Sequence, residues 1–219
     1  MGPKRKKVKR RRYDSSIRTE AAERTRRRIL DAARDMFVTT GYAGFTMQEI
    51  AVRAQVALDT VYASVGRKPQ LVRLLVETAI SSTHQAVPPE QRAYVQRIHA
   101  AATAREKLAT YAKAVVEIQC RLAPIVRALE GAAAAEPELA KIWHEISERR
   151  ARNMKLFAAE LVKAGGLRPG LTVDRIADVI WAMNGPELYT LLVSQRGWSA
   201  TELEIWLADA WARLLLGSS

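Results

Sequence analysis

The sequence predicts an all-α protein, in which an N-terminal three-helix unit of the helix-turn-helix type precedes a larger helical domain. Apolar residues recur at a spacing near 3.6 residues along most of the 219-residue chain, and no segment shows the strict apolar–polar alternation of a strand. Hydrophobic residues make up 48% of the chain, which is enough for an ordinary core. The single cysteine, Cys120, excludes an internal disulfide framework and indicates a reducing compartment.

Positive charge is concentrated at the N-terminus. Residues 1–28 hold thirteen Lys and Arg against three acidic residues, so +10 of the net charge of +12 lies there. A basic end favours a polyanionic partner, nucleic acid before an anionic membrane.

Residues 1–16 are expected to form a disordered arm, because they are polar and basic with almost no apolar content. Eight of the nine positions from 4 to 12 are positively charged. An arm of this kind can lie in the minor groove of DNA beside a helix in the major groove. Its candidate DNA contacts are Arg10, Arg11 and Arg12. The alternative is a solvated tail that aids solubility.

Four helices are expected within residues 17–84. The first runs from about Arg18 to Thr40 and is stopped by Gly41, with Ile29, Ala33, Met36 and Phe37 on one face. The second begins at Thr46, because Thr46 and Glu49 have the spacing of a capping box. The third runs over about 57–64, and Gly66 prevents it from continuing. Pro69 suits the first turn of the fourth, which reaches about Ser82.

The second and third helices form the predicted functional unit. Small and branched apolar residues can pack the two helices together: Ile50, Ala51, Ala54, Val56 and Val61. The outer face of the third helix is then free to enter the major groove, which is wide enough for a helix. We therefore expect this segment to bind DNA.

This stretch resembles the DNA-binding domain of TetR-family transcriptional regulators. The matching positions are Gly41-Tyr42, Thr46-Met47, Ile50-Ala51, Ala54, Val56, Thr60-Val61-Tyr62, Lys68 and Leu71. The resemblance implies a homodimeric repressor that binds a palindromic operator in double-stranded DNA. It also implies that a small-molecule effector, bound in the C-terminal domain, alters the spacing of the two DNA-binding heads. No cofactor is implied.

The resemblance also implies individual contacts. Thr46 would cap the second helix and touch a phosphate with its amide, Thr60 and Tyr62 would contact the backbone or base edges, and Lys68 would bind phosphate. Base edges are expected near Ala57 and Leu58.

The chain departs from the family pattern at Gln55, where glycine is common, and at Ala57, where serine is common. It also departs at Ser64 and Val65, where His or Tyr and then Phe are common. Gln55 can pair with adenine, whereas Ala57 cannot cap a helix with its side chain. The candidate DNA-binding residues of this unit are Thr46, Gln55, Ala57, Leu58, Thr60, Tyr62, Ser64 and Lys68.

Residues 85–219 are expected to form a helical ligand-binding and dimerisation domain after the boundary at Val87-Pro88-Pro89. Helices are predicted over about 90–100, 104–120, 122–134, 137–164, 173–194 and 200–216, with an interruption at Asn184-Gly185-Pro186. Thr103 and Glu106 have the spacing of a second capping box.

The last two predicted helices are expected to pair with their mates in a two-fold dimer. The helix over 200–216 is apolar nearly all round, so one side must be covered by a neighbouring chain or by the protomer's own core. The candidate interface residues are Trp181, Leu188, Leu192, Leu203, Trp206, Leu207, Ala210 and Leu214.

A ligand pocket would be apolar with a few polar groups. The kink at Pro186 can frame such a pocket or can serve packing alone, and the candidates can equally be core residues. They are Tyr111, Val115, Gln119, Cys120, Trp143, Phe157, Asn184 and Glu187.

Other function classes find little support. His144 and Glu148 lie one helical turn apart, but the second histidine of the usual zinc motif is missing, so a surface ion pair is favoured over a metal. Cys120 has no histidine near it and no glycine-rich phosphate loop occurs, so no enzyme is expected. The absence of an apolar run near twenty residues predicts no membrane partner. The resemblance implies a cytoplasmic, nucleoid-associated bacterial protein.

Two competing functions stay open. One is a non-specific DNA-coating or architectural protein that relies on its basic arm. The other is a small-molecule binding module whose DNA-binding unit is vestigial.

Overall fold

The computed structural model describes the backbone of residues 6–85 and 87–217, with side chains from Thr19 onward. These residues form ten α-helices and no strand, which confirms the all-α fold. The helices are α1 Lys6–Thr40, α2 Met47–Ala54, α3 Leu58–Val65, α4 Lys68–Ser81, α5 Ala93–Ala100, α6 Ala104–Ala133, α7 Pro137–Ala164, α8 Val173–Met183, α9 Pro186–Tyr189 and α10 Ala200–Leu215. A 3-10 turn covers Pro89–Gln91, and a π-helical segment covers Thr190–Gln195.

The chain divides into two compact units, Met1–Leu75 and Val76–Ser219. The division falls inside α4, which is continuous across it. The boundary predicted from the sequence lay after this helix, between residues 84 and 85.

Helix α1 begins earlier than the sequence predicted. Its backbone is helical from Lys6, whereas a disordered arm was expected up to residue 16 and a helix only from about Arg18. The stretch from Lys6 to Thr40 contains no Gly or Pro, and Lys and Arg favour helix nearly as well as Ala. The low apolar content means that residues 6–16 cannot pack into a core, but it does not prevent them from forming a helix. Residues 1–5 lie outside the described residues, as do the side chains of Arg10, Arg11 and Arg12.

The first unit is built on a small apolar core between α1, α2, α3 and the start of α4. Of the face predicted for the first helix, Ile29, Ala33 and Phe37 are buried as expected, and Met36 is half-buried. Phe37 packs edge-to-face on Phe45, with 6.4 Å between the ring centroids. Gly41 ends α1 with a φ of 72°, in the left-handed region that glycine tolerates.

The second unit is organised around α6, which packs against α7, α9 and α10. The sequence predicted two helices here, over 104–120 and 122–134, but α6 runs without interruption through Pro124. An interior proline costs roughly 3 kcal/mol in an isolated helix. Many buried apolar side chains line α6 on both sides of Pro124, and their packing outweighs that local cost.

The predicted interruption at Asn184-Gly185-Pro186 is confirmed. Helix α8 ends at Met183, Asn184 and Gly185 are non-helical, and Pro186 occupies the first turn of α9. Proline lacks the N–H that a continuing helix would need, and it suits a new helix start. The predicted capping box at Thr103 and Glu106 is also present at the start of α6. Within the described ranges, no helix is both long and apolar enough to cross a membrane.

Candidate nucleic-acid interface and ligand cavity

The predicted capping box at the start of α2 is confirmed. Thr46 Oγ1 accepts a hydrogen bond from the Glu49 N–H at 3.2 Å, and the Glu49 carboxylate accepts one from the Thr46 N–H at 2.7 Å. The Thr46 amide, which was expected to touch a phosphate, is therefore occupied by Glu49 in this state. A phosphate contact at this amide requires the Glu49 carboxylate to give way.

The turn between α2 and α3 rests on Gln55. Its backbone has φ 55° and ψ 52°, the left-handed conformation, and its side chain is exposed. The N–H of Val56 reaches back to Ala51 O at 3.0 Å, which closes the end of α2. This geometry explains why glycine suits the position, since a side chain strains the left-handed region.

The outer face of helix α3 carries side chains that do not pack against the core of the unit. Val61 and Val65 are buried against the unit's core, whereas Asp59, Thr60 and Tyr62 are exposed. Leu58 and Ser64 are half-buried at the edge of this face. Ala57 is exposed at the N-cap and provides no side-chain cap, as the sequence predicted.

Asp59 was missed in the sequence analysis. It lies in the first turn of α3 and is exposed, like its neighbour Thr60. A carboxylate at this place can accept a hydrogen bond from the amino group of cytosine, although it also repels phosphate. Its exposure next to the predicted contacts could have identified it.

Two basic side chains fix the ends of α3 and α4. Arg26 of α1 donates to the carbonyl oxygen of Ser64 near the end of α3. The Lys68 ammonium donates to the Phe45 carbonyl oxygen and lies 4.4 Å from the Tyr42 ring centroid and 4.1 Å from that of Phe45. The predicted phosphate-binding lysine is thus held at the start of α4 by neighbouring groups.

The second half of α4 is anchored by three arginines that the sequence analysis did not single out. The Glu77 carboxylate lies 2.5 Å from Arg149 Nη1 of α7 and 3.8 Å from Arg92 Nη2, which follows the 3-10 turn. Arg121 of α6 donates to Ala79 O at 3.0 Å. Because Arg92 and Glu77 are largely buried, these pairs are shielded from solvent screening.

A small cavity of about 10 Å³, room for about one water molecule, lies in the second unit, between α6, the α8–α9 interruption and α10. Its apolar wall includes Val115, Val116, Leu188, Tyr189, Leu203 and Leu207. Two polar side chains also line it, Gln119 of α6 and Asn184 at the interruption. The predicted break in the helix therefore lies at the cavity wall.

Hydrogen bonds hold both polar side chains in place. Gln119 Nε2 donates to Asn184 O at 2.6 Å, and Asn184 Nδ2 donates to Tyr111 Oη at 2.8 Å and to Met154 Sδ at 2.9 Å. Burial raises the pKa of the Tyr111 phenol, so its O–H stays protonated and points to Met154 Sδ at 3.4 Å.

Charged groups lie beside this polar network. The Arg150 guanidinium of α7 stacks on Trp181 at 4.6 Å from the ring centroid and lies 3.9 Å from a Glu187 carboxylate oxygen. Burial lowers the pKa of Arg150. Burial, and secondly the charge of Glu187, raises the pKa of Glu130.

The structure brings together only some of the residues predicted for a pocket. Val115, Gln119 and Asn184 line the cavity. Tyr111 and Phe157 lie behind that wall in the core, with 4.8 Å between their ring centroids. Cys120 and Glu187 are largely exposed, and Trp143 is half-buried away from the wall, because each projects from a different side of its helix.

The side chain of Tyr189 has its pKa raised to about 12, first by burial.

The residues predicted for the dimer interface separate into three groups. Leu203 and Leu207 belong to the protomer's own core, so the expectation that they face a partner is wrong for these two side chains. Leu188, Leu192 and Ala210 are half-buried. Trp181, Trp206 and Leu214 are exposed, and Ile205 beside them is 65% exposed.

Comparison with known proteins identifies similar chains. The family model "Bacterial regulatory proteins, tetR family" matches residues 29–74, from α1 into α4. The uncharacterized HTH-type transcriptional regulator YdeS of Bacillus subtilis (strain 168) is 26% identical over 174 residues, which cover 78% of this chain and 80% of YdeS.

Two solved structures share the fold. The transcriptional regulator FadR of Bacillus subtilis, in complex with stearoyl-CoA, superposes with a TM-score of 0.67 at 20% identity, covering 84% of this chain and 96% of FadR. The SmeT–triclosan complex gives a TM-score of 0.68 at 18% identity, covering 89% and 93%.

Proposed function

We propose that this chain is a transcriptional regulator of the TetR family, a homodimeric repressor that a small-molecule effector releases from a palindromic operator. Recognition of a DNA sequence is supported most directly by the exposed outer face of α3. Its inner residues Val61 and Val65 fix the helix on the core, while Thr60 and Tyr62 stay exposed to meet a groove.

The proposed dimer is supported by apolar side chains that the protomer leaves exposed. Trp206 and Leu214 of α10 and Trp181 of α8 are each more than a third exposed. Tryptophan is enriched at protein interfaces because it offers a large apolar area. A second copy that covers these side chains would give the assembly two α3 helices.

The proposed response to an effector uses α4 as the connecting element. Glu77 and the Ala79 carbonyl tie its second half to α6, α7 and Arg92, and Lys68 lies at its first turn. The cavity on α6 is close in sequence to Arg121, because Gln119 precedes that arginine by two positions. A ligand that displaces α6 would therefore act on the anchoring of α4. In support of a ligand role, FadR and SmeT were solved with stearoyl-CoA and triclosan.

Selection of bound sequences from random DNA tests this proposal. We expect a palindrome whose half-sites are centred about 34–36 Å apart, one helical turn of DNA, as for other dimeric helix-turn-helix proteins. Thr60→Ala should weaken binding to the selected site, whereas Thr201→Ala, an exposed threonine of α10, is the matched control. Recovery of no common motif would contradict a sequence-specific regulator.

The charge of residues 1–28 favours a second candidate, a non-specific DNA-coating protein. That protein would bind the selected palindrome and random DNA with similar affinity at the same salt concentration. The affinity ratio between the two DNAs therefore distinguishes the candidates.

A further inference from the structure

An acidic side chain lies at the centre of the outer face of α3. The inner face of the helix is formed by Val61 and Val65, which are buried, and by one half-buried residue on each flank. At roughly 100° of rotation per residue, Asp59 and Ala63 project within about 20° of the direction opposite to this inner arc. Both are exposed, and the other two exposed residues of the helix lie about 80° to either side. Asp59 is therefore the polar side chain that a DNA groove in front of α3 would meet first.

The Asp59 carboxylate has no internal partner. Among the residues that the structure describes, no hydrogen bond or ion pair joins it to another group. Other acidic groups of the same unit are engaged, since Asp35 lies 3.3 Å from Arg53 Nη2 and Glu49 completes the capping box of α2. A carboxylate in the first turn does stabilise a helix through the positive end of its dipole. That contribution is available throughout the first turn, so it does not require the centre of the outer face.

The composition of α3 favours a carboxylate as the group that reads a base. The eight residues of this helix include no Lys, Arg, His, Asn or Gln. The side chains that commonly pair with guanine or adenine in the major groove are therefore missing from it. A carboxylate accepts a hydrogen bond from the N4 amino group of cytosine, and it has no donor for the acceptor atoms of guanine or thymine. The short side chain of Ala63 leaves room for the helix to approach the floor of the groove.

Repulsion and desolvation make such a carboxylate selective. Phosphates line the walls of the major groove, which is about 12 Å wide, whereas the centre of the outer face points toward its floor. A carboxylate that enters the groove without receiving a hydrogen bond weakens the complex, because it has lost water. The group that favours a cytosine amino group therefore also discriminates against the acceptor-rich edges of guanine and thymine.

We propose that Asp59 determines one position of the DNA half-site, where its carboxylate accepts a hydrogen bond from the N4 amino group of a cytosine. The inference rests on the proposed operator binding by α3, and it adds the base that this helix selects. Each protomer of the proposed dimer has one α3, so the two cytosines occupy symmetry-related positions, one in each half-site.

Selection of bound sequences from random DNA, repeated with Asp59→Ala, tests this inference. The unaltered protein should select a C·G pair at one position of each half-site, and Asp59→Ala should lose the preference at that position alone. Exchange of that pair should weaken binding by the unaltered protein about tenfold, a typical cost of one mismatch, and binding by Asp59→Ala by less than about twofold. Asp31→Ala removes the same charge from an exposed position of α1 and should leave the motif unchanged.

Modified DNA tests the hydrogen bond itself in the unaltered protein. N4-methylcytosine still pairs with guanine, but a methyl group replaces the amino hydrogen that faces the major groove. At the selected cytosine, this base should weaken binding by the unaltered protein about tenfold and binding by Asp59→Ala by less than about twofold. The same replacement at a cytosine outside the half-sites is the matched control.

The outcomes distinguish this inference from the proposed function. Failure of the unaltered protein to select any motif would contradict sequence-specific regulation, and the role of Asp59 with it. One motif shared by the unaltered protein and Asp59→Ala would contradict the role of Asp59 alone. An equal change of affinity on every DNA, as for a residue that only stabilises the helix, or loss of preference for a pair other than C·G would also overturn it.

Discussion

Ala57 is the residue whose replacement most simply stabilises the DNA-binding unit. It occupies the N-cap of α3 with φ −68° and ψ 149°, is exposed, and offers no side-chain acceptor to the helix N–H groups. Ala57→Ser should raise the free energy of unfolding by about 1 kcal/mol, measured by urea denaturation. Ala63→Ser, within the same helix, lacks a cap site and should not stabilise it. Equal effects of the two substitutions would refute the capping argument.

The backbone of Gln55 is strained. Its left-handed backbone costs a non-glycine residue about 1–2 kcal/mol. Gln55→Gly should therefore stabilise the unit by about 1 kcal/mol, part of the relief being offset by the greater chain entropy of glycine. Gln96→Gly, in the middle of α5, should destabilise by a similar amount, so the two variants should shift the urea midpoint in opposite directions.

At the scale of elements, α4 depends on Glu77. The carboxylate lies between Arg149 and Arg92, of which Arg92 is only 6% exposed. Glu77→Ala would leave buried positive charge without its partner and should cost about 3 kcal/mol of unfolding free energy. Glu90→Ala, at an exposed carboxylate of the adjoining 3-10 turn, should have little effect. Thermal unfolding of both variants compares them directly, and equal midpoints would show that the anchor contributes nothing.

The sequence predicted elements better than it predicted their side-chain partners. Predictions of helix ends were right where a local feature sets the end. These features are the capping boxes at Thr46 and Thr103, the glycine at 41 and the interruption before Pro186. Local chemistry sets such ends, so a short stretch of sequence contains the cause. The continuity of α6 through Pro124 was not predicted, because packing distant in sequence decides it.

The candidate site shows the same division. The inner and outer faces of α3 follow from helical spacing alone. The Glu77 anchor and the contact between Gln119 and Asn184 join residues that are far apart in the chain, so no local pattern indicates them. Leu203 and Leu207 were assigned to the wrong surface because α10 is apolar on several sides, and periodicity does not say which side meets the protomer's core.

At the scale of the whole molecule, assembly is expected to depend on the exposed face of α10. Trp206→Glu should place a charge in the proposed dimer interface and shift the protein from twice the 24.4 kDa chain mass toward the monomer. Sedimentation equilibrium at micromolar concentration measures this shift. Leu156→Glu, at an exposed leucine of α7 outside the proposed interface, is the control. A monomeric unaltered protein would contradict the proposed dimer.

The basic N-terminus should dominate the salt dependence of DNA binding. If the eight positive charges at positions 4–12 each neutralise one phosphate, deletion of residues 1–12 should reduce the slope of log K against log salt by up to about 7. Because the backbone from Lys6 is helical and the minor groove is only about 6 Å wide, contact along the phosphates fits better than insertion of an extended arm. An unchanged slope would exclude these residues from the DNA complex.

Recognition of a DNA sequence by α3 is tested best by the ratio of two affinities, one for the selected palindrome and one for random DNA. Fluorescence anisotropy at 150 mM salt should give the selected palindrome at least about 10³-fold tighter binding than random DNA of equal length, the range of specific regulators. Thr60→Ala should lower that ratio, while deletion of residues 1–12 should weaken both affinities and leave the ratio similar. A ratio near one for the unaltered protein would show that α3 does not recognise a specific sequence.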